Sequence, residues 1–317
     1  MSFRSSKVWL NGRLMPFEEA TVHFLTPALH YGIGVFEGIR CYVTDDGPAV
    51  FRLKDHMERL LNSARVLGFR EAPYSAEDLV AAAREVVAAN AFGECYIRPL
   101  IYLAEGGWNL SLDAGRPHVG IAVWEWTAYL GEEALSRGVR ALVSTYTRHH
   151  PNATMNKAKI AGNYVNSVLA KTESVRLGFD EAILLDNQGY VAECTGENLF
   201  LVRGGTLYTP PSATVLEGIT RDTIFALARD IGVTVVEKPL SRDQLYIADE
   251  VFVCGTAAEV IALREIDFRT IGSGRTGPMT RRIQQAYGDV IRGRHALSAG
   301  WLDYIEEAAE RRTLAQA

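Results

Sequence analysis

Lysine is scarce in this 317-residue chain: six of its 33 basic residues are lysine (Lys7, Lys54, Lys157, Lys159, Lys171 and Lys238), and the rest are arginine. Cysteine is also sparse. Cys41, Cys95, Cys194 and Cys254 lie far apart, with no Cys-x-x-Cys spacing and no histidine cluster beside them, which excludes a disulfide framework and a zinc site; they read as buried, reduced thiols. No uninterrupted apolar run reaches the roughly 18 residues that a membrane span needs. The start, Met1-Ser2-Phe3-Arg4-Ser5-Ser6-Lys7, lacks the apolar core of a signal peptide, so the cytoplasm is the expected location. A formal charge of −5 with interspersed signs argues against nucleic acid or an anionic membrane as partner and leaves small molecules. Internal repeats are missing, as is the Gly-x-Gly-x-x-Gly turn of a dinucleotide-binding unit.

What is present is a mixed pattern of strands and helices around a 48% hydrophobic composition. Asn11-Gly12 between two short apolar runs predicts a tight hairpin, because both turn positions need positive φ. Amphipathic spacing predicts helices over 53–67 and 76–89, the second behind Ser75 as N-cap. Strands are expected at 96–103, 119–126 and 139–146, a helix at 162–177, hairpins around Asn187-Gln188-Gly189 and Arg203-Gly204-Gly205, and a helix at 219–231 stopped by Gly232. The charged tail after Trp301 reads as a solvated helix or frayed end. The fold class is therefore α+β, with 127–135 as the linker between an N-terminal domain (1–126) and a C-terminal domain (136–317).

One lysine sits in an unusual setting. Ala158-Lys159-Ile160-Ala161-Gly162-Asn163-Tyr164 wedges an amine among small side chains, where a bulky carbonyl compound can reach it, as Schiff-base chemistry requires. Taken alone, it would be an ordinary lysine at a helix start. Further on comes Glu193-Cys194-Thr195-Gly196-Glu197-Asn198. Four more segments complete a series: His30-Tyr31-Gly32 leading into Val35-Phe36-Glu37-Gly38-Ile39-Arg40, then Tyr96-Ile97-Arg98-Pro99-Leu100, Glu217-Gly218-Ile219-Thr220-Arg221-Asp222, and Cys254-Gly255-Thr256-Ala257-Ala258-Glu259.

In order and content these segments resemble the branched-chain aminotransferases of the class IV, fold-type IV pyridoxal phosphate enzymes, from about Val8 to Arg292. The resemblance implies a D-amino acid aminotransferase-like architecture, with a small N-terminal α/β domain and a larger, mixed β-barrel-like domain bearing the lysine. It implies pyridoxal 5'-phosphate as cofactor and no metal. The implied reaction is ping-pong transamination between L-leucine, L-isoleucine or L-valine and 2-oxoglutarate, in a homodimer at least. Rivals that keep the cofactor are transaminases of D-amino acids or (R)-amines and aminodeoxychorismate lyase. A non-catalytic cofactor-binding scaffold is a further alternative.

Residue by residue, the resemblance makes Lys159 the covalent anchor and the base at the substrate Cα, roles for which its amine must be neutral. Glu193 faces the pyridine nitrogen, and an anion there keeps that nitrogen protonated. Tyr164 bonds the cofactor's phenolate oxygen. Arg59, Leu216, Gly218, Ile219, Thr220, Gly255 and Thr256 complete the cofactor set, with the phosphate at the helix start after Gly218. Tyr31, Phe36, Trp126 and Tyr129 form an aromatic box, with Gly38 leaving room beside the cofactor. Tyr96 and Arg98, alternating onto one strand face, handle carboxylates with Arg40 behind them, and the Thr256–Ala257 backbone meets the α-carboxylate, with Ala258 beside it in the substrate set. One pocket must take an aliphatic side chain and a γ-carboxylate in turn, which aromatic walls with a polar rim allow. Lys157 is the decoy, and His149 and His150 read as loop residues. Glu105-Gly106-Gly107-Trp108-Asn109-Leu110 departs from the small apolar pair expected of relatives; its Trp108 and Leu110 bear on side-chain preference across a subunit contact.

Overall fold

The computed structural model describes residues 5–113, 115–126 and 132–305. The chain forms two compact units. The first draws its described residues from Met1–Thr127, Ala158–Gly162 and Val290–Ala317, the second from Ala128–Lys157 and Asn163–Asp289. The lysine-bearing pentapeptide thus belongs with the first unit, although its neighbours in sequence belong with the second. Residues 127–131 of the expected linker lie outside the described residues, and Glu132–Arg137 is helical.

Unit 1 is built on an antiparallel sheet in the order Leu302–Tyr304, Gly47–Phe51, Ile39–Thr44, Cys95–Glu105, Arg116–Glu125, Lys7–Leu10, Arg13–Pro16, with Gly34–Phe36 pairing the far half of Cys95–Glu105. The first hairpin turns on Asn11 and Gly12, whose φ angles of 48° and 84° fit a tight reversal. Helices Leu53–Leu67 and Ala76–Asn90 cover the sheet with Leu53, Met57, Leu60, Leu79 and Val86, all essentially buried against Ile39, Ile97, Ile101 and Leu103. Each fully buried side chain of this size contributes about 1.5–3 kcal/mol. Ser75 starts the second helix with a reciprocal cap, accepting from the Asp78 N–H at 3.2 Å while Asp78 accepts from the Ser75 N–H at 2.9 Å.

The charged part of the tail, from residue 306 on, lies outside the described residues, and the short stretch before it departs from the sequence expectation. Leu302–Tyr304 is a strand paired antiparallel with Gly47–Phe51, and Asp303 forms an ion pair with Arg84. Three residues with one charge show no usable period in sequence, so only the waiting sheet edge makes them a strand.

Unit 2 holds a mixed sheet in the order Val191–Cys194, Glu181–Leu185, Val139–Thr147, Glu259–Ile266, Glu250–Gly255, Asn198–Arg203, Thr206–Thr209, Val235–Glu237. Val139–Thr147 runs parallel to both its neighbours, and Thr206–Thr209 runs parallel to Val235–Glu237. Helix Tyr164–Arg176 packs on Val139–Thr147 and Glu181–Leu185. Glu250 caps helix Pro278–Ile291 by accepting from the Met279 and Thr280 N–H groups, both at 2.8 Å. All four cysteines are free and buried, and burial pushes the Cys194 and Cys254 thiols up from their ordinary range. Among the described residues no helix is long and apolar enough to cross a membrane, and no three His, Cys, Asp or Glu side chains group as metal ligands.

Candidate active site

In unit 1, the backbone around Lys159 is stapled beside Gly34–Phe36. Val35 and Ile160 form an antiparallel bridge, the Phe36 N–H donates to the Lys159 carbonyl at 3.1 Å, and the Gly162 N–H donates to the Gly32 carbonyl at 3.1 Å. Helix Leu53–Leu67 adds the third tie, since the Ser63 hydroxyl accepts the Lys159 N–H at 3.0 Å. Small residues flank the lysine because two backbones approach closely here; a Cβ on Gly32 would lie 2.8 Å from Gly162 Cα. The half-buried lysine carries its Nζ 5.0 Å from the centre of the Phe36 ring.

Phe36 also faces Arg98, whose guanidinium carbon lies 4.7 Å from its ring centre, 5.3 Å from that of Tyr96 and 5.7 Å from that of Trp124. Arg98 Nη2 donates to the Tyr96 hydroxyl at a long 3.3 Å, while its buried Nε has no hydrogen-bond partner among the described residues. Tyr96 is nearly buried between Trp124 and Trp126, with ring centres 5.0 and 5.2 Å away. Gly38 is required at its place, because a Cβ there would collide with the Tyr96 hydroxyl. Arg40 sits opposite Tyr96 in the strand register, stacks over Tyr42 at 5.0 Å and pairs with Glu94 at 3.8 Å. Arg59 is 15% exposed, and its Nε and Nη2 donate to the two oxygens of Glu37 at 2.7 and 2.8 Å. Tyr31 is 44% exposed and packs edge-on against Trp108, which also meets His30. Tyr129 lies outside the described residues.

In unit 2, Glu193 is only 5% exposed at a bulge in Val191–Cys194. Arg148 Nε meets its carboxylate at 2.7 Å, Asn198 Nδ2 donates to it at 3.3 Å and the Leu216 N–H donates at 3.1 Å. A buried carboxylate is thus matched by an arginine charge and by N–H donors. Asn198 also donates to the Leu216 carbonyl at 3.1 Å, and a Cβ on Gly218 would collide with the Asn198 amide oxygen, so Leu216 to Gly218 is locked beside Glu193. Gly218 then opens helix Ile219–Asp230 in extended backbone with no side-chain cap, and Ile219 and the Thr220 side chain are buried in its first turn. Tyr164 starts its own helix half-buried, next to Asn163, whose Nδ2 donates to the Thr154 carbonyl at 2.9 Å. Gly255 ends a strand, and Thr256, Ala257 and Ala258 form the turn that returns as Glu259–Ile266. Lys157, the decoy, is exposed and ion-paired with Glu217 at 2.9 Å. His149 is half-buried, and burial together with Arg148 pushes its pKa down to about 4.

The sequence profile of the class IV amino-transferases matches residues 34–266, and the chain belongs to that family. Among its relatives, the branched-chain-amino-acid aminotransferase of Pseudomonas aeruginosa is 46% identical over 306 residues, covering 96% of this chain and 99% of its own. The solved branched-chain amino acid aminotransferase of Escherichia coli superposes with a TM-score of 0.93 at 44% identity, over 96% of this chain and all of its own. That of Thermobaculum terrenum, solved in its pyridoxal phosphate form, gives a TM-score of 0.89 at 34% identity, over 95% of this chain and 99% of its own. The fold is thus that of the fold-type IV enzymes, as the sequence led us to expect.

Within unit 1, Lys159, Phe36, Tyr96, Arg98, Trp126 and Gly38 gather through direct contacts; within unit 2, Glu193 and the Leu216–Thr220 segment do so. Four participants escape sequence reasoning: Arg148 and Asn198 beside Glu193, Glu37 beside Arg59, and Trp124 beside Arg98. Trp124 alone had a signal, since strand pairing sets it opposite Tyr96.

Proposed function

We propose that this protein is a pyridoxal 5'-phosphate-dependent transaminase that moves the amino group between branched-chain L-amino acids and 2-oxoglutarate, giving branched-chain 2-oxo acids and L-glutamate. The donor set suits the cofactor. Lys159, Arg59, Tyr164, Glu193, Leu216, Gly218, Ile219, Thr220, Gly255 and Thr256 are the residues that would hold it. Glu193 is the observation that favours a pyridine ring: a buried carboxylate paired with Arg148 suits a protonated ring nitrogen. When bound, pyridoxal phosphate supplies an electron-withdrawing ring that stabilises negative charge at the substrate Cα. Lys159 Nζ would anchor the cofactor and, once released, would move the substrate Cα proton to the cofactor's C4′ carbon, the reverse half-reaction carrying it back. Its backbone ties to Phe36 and Ser63 fix where that amine starts.

The observation that carries the substrate reading is the Arg98 surround. Phe36, Tyr96, Trp124 and Trp126 offer apolar faces to an aliphatic side chain, while the partnerless Arg98 Nε offers charge to a γ-carboxylate. Ala257 and Ala258 would meet the α-carboxylate, with Tyr31, Tyr129, Gly38 and Arg40 completing the pocket. The protein would work in the cytoplasm as a homodimer or larger homo-oligomer; the exposed side chains of Phe24, Leu25, Leu29, Trp108 and Leu110 support a subunit contact. Adding L-leucine without an acceptor tests the reading. Replacement of the long-wavelength cofactor band by that of pyridoxamine phosphate is expected, while an unchanged band would redirect it to D-amino acids, amines or a lyase substrate.

A further inference from the structure

Glu37 is a fully buried charge for which the transamination chemistry has no use. It stands between Phe36 and Gly38 with no exposed side-chain surface. Its carboxylate accepts from Arg59 Nε at 2.7 Å, from Arg59 Nη2 at 2.8 Å and from His56 Nδ1 at 2.8 Å. Burial pushes the carboxyl up, but the Arg59 charge and the bonds from His56 and Arg59 outweigh it and hold the group well below the usual carboxylate range. Since an ionised carboxylate only accepts, the neutral His56 ring carries its proton on Nδ1. Desolvating a carboxylate is costly, and a partly exposed arginine on a helix does not need such a partner to be stable.

The geometry shows what the arrangement achieves. His56, Arg59 and Ser63 share one face of helix Leu53–Leu67, at helical spacing. His56 and Arg59 bind the carboxylate next to Phe36, and Ser63 binds the Lys159 N–H, so one helix face indexes both the anchor lysine and the arginine fork. A guanidinium gripped along its Nε–Nη2 edge has lost most of its rotamer freedom before any ligand arrives.

We propose that Glu37 is a positioning residue for the cofactor phosphate: it presets the Arg59 fork, with His56 steadying the carboxylate, so that unit 1 meets a phosphate monoester with an already ordered guanidinium. This rests on the reading of Arg59 as a phosphate partner. Charge and geometry make opposite predictions, which exposes the proposal to failure. Glu37 opposes Arg59 electrostatically, so if its charge were what mattered, neutralising it would tighten phosphate binding. If ordering matters, the same change loosens it.

The test titrates the full-chain protein, stripped of cofactor, with pyridoxal 5'-phosphate and separately with pyridoxal, which lacks the phosphate. Glu37→Gln should weaken pyridoxal 5'-phosphate about tenfold or more, in the range typical of outer-shell partners, and leave pyridoxal within about twofold, the scatter of independent sites. Glu37→Asp keeps the charge but withdraws the carboxylate by one methylene, and should show the same phosphate-selective loss if the glutamine variant does not fold. In an Arg59→Met background neither change should add to the loss. Unchanged or tighter pyridoxal 5'-phosphate binding, or equal weakening of both ligands, overturns the positioning role. If Arg59→Met itself fails to separate the two ligands, the reading of Arg59 falls and this inference with it. Selective loss in Arg59→Met but not in the Glu37 variants removes the inference alone.

Discussion

The two units solve one electrostatic problem from opposite ends. In unit 1 the candidate ligand-facing group is a cation, Arg59, and a carboxylate from the link between strands Gly34–Phe36 and Ile39–Thr44 holds it; in unit 2 it is a carboxylate, Glu193, and an arginine pairs with it. The supports differ in kind. Glu37 is fully buried, and its partners Arg59 and His56 lie on one helix, whereas Glu193 is braced by an arginine just beyond a strand, an asparagine across a turn and a loop N–H. On the proposed reading the unit 1 pair orients a guanidinium, and the unit 2 set supports a carboxylate. A functional charge in a dry site therefore needs a counter-charge, but whether that partner serves geometry or ionisation depends on what the ligand asks of it.

The comparison can be broken at its strongest point first. Glu193→Gln should lower kcat for leucine and 2-oxoglutarate by about 10²- to 10³-fold, in line with losing one preorganised electrostatic partner. Arg148→Met, which removes only the carboxylate's charged partner, should fall short of that. Equal losses in the two variants would contradict a supporting role for Arg148.

The next effect sharpens the split between an aliphatic and an acidic substrate within unit 1. Arg98→Met should raise KM for 2-oxoglutarate by about 10- to 100-fold, the cost of an unpaired carboxylate, and leave the leucine half-reaction within about threefold. Single-turnover kinetics with each substrate read the two numbers separately, and a parallel fall in both would relieve Arg98 of substrate choice.

The smallest effect concerns stability. His149 is held down to about 4 against an ordinary 6.5, so the unfolded chain takes up a proton between those values that the folded chain refuses. Its contribution is fully present above pH 6.5 and is lost as pH falls toward 4. His56, whose pKa burial also depresses against the pull of Glu37, acts in the same direction. Urea melts of the native protein and of His149→Asn across that window should show a steeper acid-side loss for the native chain; identical slopes would contradict the burial of His149.

Much of this was legible in the sequence, and what was missed has a common physical cause. Asn11-Gly12, the Ser75 cap, helix 53–67 and the Tyr96/Arg98 alternation are local signals, and each reappears in the structure. Arg148 gave none, because an ion pair between segments far apart in sequence leaves no period in either; Asn198 and Glu37 lie inside segments quoted for other residues, and nothing local marks what they touch. Leu302–Tyr304 becomes a strand only because Gly47–Phe51 offers an edge. The Lys159 pentapeptide looks continuous with its flanks, yet its backbone partners are Gly32, Phe36 and Ser63, far upstream. Sequence order conceals that membership.

The central claim is that Lys159, and not the neighbouring Lys157, is the amine that carries the chemistry. Borohydride reduction of the holoenzyme followed by peptide mass mapping tests it most directly. The account predicts the phosphopyridoxyl mass on Lys159 alone, with Lys157 unmodified in its ion pair with Glu217. Label on Lys157, or cofactor that reduction leaves unattached to the protein, would contradict it.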